Sequence, residues 1–263
     1  MTLSDQAIAV LTASDPAAKA RKAQAMAERW RSGAIAEFGQ ATPPVRPARP
    51  ARPELLPPRL MPKRGRAQTL AGRIALLHAL AHIELNAIDL ACDLIARFGA
   101  LFPRGFGDDW TMVAAEEALH FTLLSTRLAE FGAAYGDLPA HDGLWQAATE
   151  TSDDALARLA VVPLVLEARG LDVTPPMIAS LRKAGDEQSA TVLARLYDDE
   201  IGHVAVGRRW FDWLCGARGL EPVATWQALV RRHFRNGLKR PFNAEARSRA
   251  GLAPPFYEPL AGG

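Results

Sequence analysis

Three residues recur in this chain at a single offset. Glu84, Glu117 and His120 return 83 positions later as Glu167, Glu200 and His203. Within each set the glutamates stand 33 apart and the histidine follows the second one by three. Neighbouring acids keep the same register, Asp89 with Asp172 and Glu116 with Asp199. Residues three apart share a helical face, so Glu117–His120 and Glu200–His203 can each present a carboxylate and an imidazole to one point. One Glu-x-x-His pair is weak evidence, since composition alone puts glutamate at that position for roughly one histidine in twenty. A complete set repeated in register is a two-helix unit used twice.

The repeat sets the class. Apolar periodicity predicts long helices at about 67–98, 108–133, 152–172 and 186–215, with little of the alternation of a strand. Asp108-Asp109 and Ser152-Asp153-Asp154 suit helix starts. The expected fold is all-α: a four-helix bundle of two two-helix repeats. The expected divisions are an N-terminal helix in 1–32, a Pro/Arg-rich linker in 33–66, the bundle in 67–216 and a basic C-terminal extension packing on it in 217–263. Eight prolines between 43 and 62 exclude helix from the linker, which should be extended or disordered.

One lone Glu from each of two helices, with Glu-x-x-His from each of the other two, is the ligand pattern of ferritin-like di-iron and di-manganese proteins. Four carboxylates offset the charge of two divalent ions, and two neutral imidazoles leave positions open for oxygen or substrate. Without a cation, four converging buried glutamates would suffer desolvation and mutual repulsion. The competing reading is exposed acids and core histidines on ordinary helices. The apolar settings LAHIELNAI and VVPLVLEARGL oppose it. The predicted metal ligands are therefore Glu84, Glu117, His120, Glu167, Glu200 and His203. Asp199 and Glu116 are candidates to accept the second N–H of His120 and His203 respectively. Tyr197, one turn before Glu200, is either a proton or redox relay or a packed aromatic. His78, His82, Asn86, Asp89 and Asp93 lie on another stripe of the first helix and suit a buried hydrogen-bond network with the N-terminal arm or the tail. Pro163, four residues before Glu167, should kink its helix.

Composition excludes several classes. Two cysteines, Cys92 and Cys215, rule out a disulfide scaffold, a four-Cys zinc site and a Cys-ligated iron–sulfur cluster, and both read as buried small hydrophobes. A net charge of +2 excludes a wholly basic nucleic-acid binder but hides an asymmetry. Arg46, Arg49, Arg52, Arg59, Lys63, Arg64 and Arg66 crowd the linker. Arg231, Arg232, Arg235, Lys239, Arg240, Arg247 and Arg249 crowd the C-terminal segment, and the helices between are acidic. Either basic arm can contact phosphates, as on an RNA, or pack on the acidic body. The N-terminus lacks the apolar core of a signal peptide, and no run reads as a membrane span, so the expected location is cytoplasmic.

The segments HIELNAIDLACDLIARF, WTMVAAEEALHFTLLSTRLAEFGAAYGDLPAHDGLW, LAVVPLVLEARGLDVTPP, YDDEIGHVAVGRRWF and GLKRPFNAEARSRAGL resemble the ferritin-like family known as domain of unknown function 455. The resemblance spans roughly 67–258. It implies a ferritin-like bundle with a di-metal site at the six residues above, and leaves the substrate open. Leu124 stands where radical-generating ribonucleotide reductase subunits place a tyrosine, which argues against a stored tyrosyl radical. The four-Cys domain of rubrerythrins is missing, and the long basic extensions differ from cage ferritins. In composition the chain is most similar to the di-iron tRNA hydroxylases. The expected function is an O2-activating carboxylate oxidoreductase, a hydroxylase or oxidase, holding two metals: iron first, with manganese or a manganese–iron pair as alternatives. It would need an external reductase or ferredoxin, since no flavin or nicotinamide motif is present. Small-molecule and RNA substrates both stay open, as do monomer and homodimer. The alternatives are a ferroxidase-type iron- or manganese-handling protein, and an RNA-binding module or RNA-modifying hydroxylase using the basic arms.

Overall fold

The computed structural model describes residues 1–62, 65–234 and 237–262. Lys63, Arg64 and Arg235 of the basic arms lie outside the described residues. The chain is all-helical. Among the described residues β-structure is limited to two isolated bridges, Leu55 with Ala140 and Leu238 with Ala261. It divides into two compact units: Met1–Gln146 with Ser180–Ser189, and Ala147–Ala179 with Ala190–Gly263.

The first unit opens with α1 (Leu3–Leu11) and α2 (Pro16–Arg31). The sequence predicts one helix over 4–31, and the break has a local cause. Pro16 disfavours helical backbone at the residue before it, and the Asp15 carboxylate caps the new helix by accepting from Ala18 N–H at 2.7 Å. Two long helices follow, α3 (Leu70–Phe98) and α4 (Arg104–Glu130). α4 starts four residues before the predicted Asp108, because Pro103 already holds the chain in an N-cap conformation. Asp108 instead accepts from the Trp30 indole at 2.7 Å. The Gly99 and Gly107 sites admit no side chain: an added Cβ would come within 2.6 Å of Phe38 and Trp30 respectively.

The proline-rich segment is extended, apart from one 3-10 turn at Pro58–Leu60, and tied down. Ala48 N–H donates to the Leu11 carbonyl at 2.8 Å, Leu56 N–H to the Ala140 carbonyl at 2.8 Å, and Ala140 N–H to the Glu54 carbonyl at 2.9 Å. Beneath it lies Asp89, fully buried on α3. The carboxylate takes an ion pair from Lys19 of α2 and another from Arg49 at 3.0 Å, and Arg49 also donates to Asn86 at 2.6 Å. Two cations of the basic N-terminal region are thus consumed internally.

The second unit contains α6 (Ala155–Val161), a π-helical turn at Val162–Glu167, and α7 (Ala168–Lys183), whose last residues join the first unit. α5 (Gly143–Thr149) precedes them, spanning the boundary between the units. The kink expected at Pro163 takes the form of this π-turn. A proline lacks the N–H for the regular ladder, and a wider turn absorbs the defect without ending the helix. Space for the ring comes from Gly207 of α8 (Glu187–Ala217): a Cβ there would sit 2.2 Å from that of Pro163. α9 (Pro222–His233) buries Trp226, whose indole donates to the Ala160 carbonyl at 3.1 Å. The tail adds α10 (Ala244–Arg249) and α11 (Pro254–Tyr257). Arg247 of α10 forks onto buried Asp172 with bonds of 2.8 and 2.7 Å. Its guanidinium lies against the Phe242 and Tyr257 rings.

Cys92 and Cys215 are buried and free, as expected. Against the reading that no run approaches a span, Leu70–Leu101 is long and apolar enough to cross a membrane by length and composition. Two thirds of its apolar window (67%) is buried in the protein, and it also buries His78, Asn86, Asp89 and Asp93. That fits the core helix of a soluble protein.

Candidate metal centre

In the first unit α3 supplies Glu84 and α4 supplies Glu117 and His120, one helical turn apart. All three are buried. His120 Nδ1 lies 3.3 Å from Glu84 Oε2 and 3.5 Å from Glu117 Oε2. One donor atom from each residue falls within 4.8 Å of the others.

The electrostatics explain what this cluster lacks. Burial raises the Glu84 carboxyl well above its ordinary range, and the Glu117 charge beside it raises it further. Burial by itself would lower His120, but bonds to Glu117 and Glu84 overcome that and lift the imidazole to about 11. The buried trio thus holds on to protons, on His120 and on the Glu84 carboxyl beside it. Two carboxylate oxygens and one imidazole nitrogen are a mixed donor set suited to iron, manganese or zinc. A divalent cation would replace the His120 proton, because a ligating imidazole must be neutral. The residues fit a metal ion on charge, donor type and spacing.

The second unit carries the matching set. Glu200 and His203 lie on α8, with His203 Nδ1 3.6 Å from Glu200 Oε1. Glu167 closes the π-turn. His203 is buried, whereas Glu167 and Glu200 are half-buried. Glu116 is half-buried on α4. Asp199 takes the Arg195 guanidinium at 2.6 Å. The Tyr197 hydroxyl accepts from the Asn243 side-chain amide at 3.0 Å, which ties it to the C-terminal segment and favours its packed, structural reading.

The second stripe of α3 forms a hydrogen-bond network in which Asn86 and Asp89 meet the N-terminal region as expected, whereas His78 and His82 turn to the segment after α4. His82 Nδ1 meets the Tyr135 hydroxyl at 2.9 Å, His78 Nε2 accepts from Gly136 N–H at 2.9 Å, and Asp93 holds Arg97 at 2.9 Å. Sequence reasoning missed three partners. Lys19 and Arg247 were hidden among many surface-type cations. Gly207 had a visible signal, a glycine inside the helical run VAVGRRWF.

Residues 12–258 match the family described as protein of unknown function (DUF455). The chain belongs to this family. Over 206 residues it is 40% identical to an "uncharacterized protein" of Haemophilus influenzae, covering 76% of this chain and 71% of that protein. No solved structure matches it. In this DUF455 protein, then, a buried Glu/His cluster could hold a metal ion, within an all-helical fold.

Proposed function

We propose that this DUF455 protein is a ferritin-like di-metal carboxylate oxidoreductase that activates O2, a hydroxylase or oxidase acting on a small organic substrate. The observation that carries the reading is the buried trio Glu84, Glu117 and His120, with donor atoms within 4.8 Å, repeated in type and spacing as Glu167, Glu200 and His203. On this reading the six residues jointly hold two ions in a four-helix bundle of the ferritin-like kind. Iron is the preferred metal, manganese or a mixed pair the alternative.

The bound ions would supply the redox chemistry for reducing O2. For a hydroxylation, one oxygen atom enters a substrate C–H bond and the other leaves as water. The balance requires two further electrons and two protons, drawn from an external ferredoxin or reductase. The chain's own residues set the conditions. Glu84 and Glu117 provide anionic oxygen donors in a dry setting, where their attraction for a cation is strong. His120 gives up its proton when the site loads. Burial of the first set keeps bulk water from the reacting centre.

Two buried partners support a small substrate over RNA. Arg49 and Arg247, one from each basic arm, are committed to Asp89 and Asp172 inside the protein. The basic segments read as clasps, and a cytoplasmic protein remains part of the proposal.

Metal content by mass spectrometry after anaerobic loading with Fe(II), followed by exposure to O2, tests the reading. About two ions per chain and a transient oxidised absorption are expected. Glu117→Ala and Glu200→Ala should each abolish loading and O2 consumption. Retention of two metals in either variant would overturn the ligand assignment. Oxidation that releases ferric product with no call on an electron donor would favour the ferroxidase alternative.

A further inference from the structure

The metal-type trio and the Asp89 ion pairs leave a cavity of the first unit unused. About 530 Å3 in volume, it lies over the stripe of α3 that carries His78 and His82. At 100° per residue its α3 wall, which runs from Ala71 to Ile83, lies about 100–180° around the helix from Glu84, off the face of the candidate metal ligand. Pro58 and Met61 of the proline-rich segment cover one side and Leu144 of α5 another. The size lies within the range of small-molecule sites.

The lining is mainly apolar, and its described residues include no Asp, Glu, Lys or Arg. Its polar side chains are Thr69, whose hydroxyl is taken up by the Arg66 carbonyl and the Gly72 N–H, and three histidines. His78 Nε2 accepts from the backbone N–H of Gly136 at 2.9 Å and faces that of Leu138 at 3.4 Å, so the proton of its neutral ring sits on Nδ1. His141 Nδ1 accepts from Gly143 N–H at 3.2 Å, which leaves the proton on Nε2. His82 is fully used: Nε2 lies 3.1 Å from the His141 carbonyl and 3.2 Å from the Asn86 amide, and Nδ1 lies 2.9 Å from the Tyr135 hydroxyl. Burial holds both His78 and His82 in the neutral form. Tyr135 also stacks on both rings, at 5.4 and 6.1 Å between centroids. The result is a mainly apolar chamber with two imidazole N–H donors on rings fixed by backbone bonds.

We propose that this cavity binds a mostly apolar small molecule bearing a carbonyl group, which accepts from the N–H of His78 or His141. An acceptor follows from the tautomers, since both spare ring positions donate. The proposal is independent of the metal reading.

Prodan, an uncharged naphthyl ketone whose fluorescence shifts to the blue in apolar surroundings, is a suitable probe on the full chain. Saturable binding with a blue shift is expected. The ketone-free 2-(dimethylamino)naphthalene should bind about tenfold more weakly, having no acceptor for the imidazoles. His141→Ala should weaken Prodan by a similar factor, and Leu144→Trp should block it by filling the chamber, with helical content and iron loading unchanged in both. No saturable binding, or binding left intact by Leu144→Trp, would overturn the site. Equal affinity for the ketone-free analogue would overturn the acceptor role of the ligand.

Discussion

Asp89 in the first unit and Asp172 in the second occupy matching places in the repeat and solve the same problem with different parts. Both carboxylates are buried on a helix that also carries a lone glutamate of the repeated set, five residues earlier. Asp89 is neutralised from the N-terminal side, by Lys19 of α2 and Arg49 of the proline-rich segment. Asp172 is neutralised from the C-terminal side, by Arg247 of α10 with help from Arg169 at 3.3 Å and the Asn243 N–H at 2.9 Å. Duplication explains the acids but not the cations, which come from unrelated segments. A buried carboxylate is costly until something pairs with it, so each repeat recruited whatever basic chain lay next to it. The two ligand sets diverge as well: the first is buried on regular helices, whereas the second has half-buried glutamates and enters through a π-turn.

The strongest way to break the parallel is to remove the acids. Asp89→Ala leaves Lys19 and Arg49 without their carboxylate, and Asp172→Ala does the same to Arg247. Each should lose about 3–5 kcal/mol in urea unfolding, the usual cost of stranding a buried charge. A loss below about 1 kcal/mol in either would show that water or a neighbour replaces the acid, and the two positions would no longer be equivalent.

A smaller effect should separate the units. Gly207→Ala forces a methyl against Pro163 and should destabilise by about 1–3 kcal/mol, as overpacking does. Adding Pro163→Ala should restore part of that loss, because the ring is what the methyl meets. Additive losses in the double variant would mean that the two residues are not coupled. The first unit has no such proline, so the coupling belongs to the second unit alone.

The least effect concerns pH. Burial lowers the His78 pKa from 6.5, so the unfolded chain takes up a proton before the folded one does. This contribution is fully present above 6.5 and is lost as pH falls below it. The acid limb of the stability profile should therefore be shallower in His78→Gln. An unchanged limb would remove His78 from the acid response.

Much of the candidate site was legible because metal-binding residue types at helical spacing follow from covalent geometry. Glu117 and His120 must share a face of any helix that holds both. Asp89 and Asp172 were visible as a pair for the same reason. Their partners were not. Lys19 sits 70 residues from Asp89 and Arg247 sits 75 from Asp172, and no local pattern distinguishes these cations from the exposed ones. Pro163 announced a defect in its helix, but its resolution as a π-turn depended on a glycine 44 residues away.

What the amino-acid order determined here is local: helical class, the duplicated ligand pattern, breaks at prolines, and family membership. Backbone sterics and side-chain spacing act within a few residues, and they suffice for these. The tertiary structure alone decided which cation neutralises which buried acid, and that a proline-covered chamber forms over α3. Those outcomes depend on desolvation and packing between segments distant in the chain, where burial decides whether a charge must be paired.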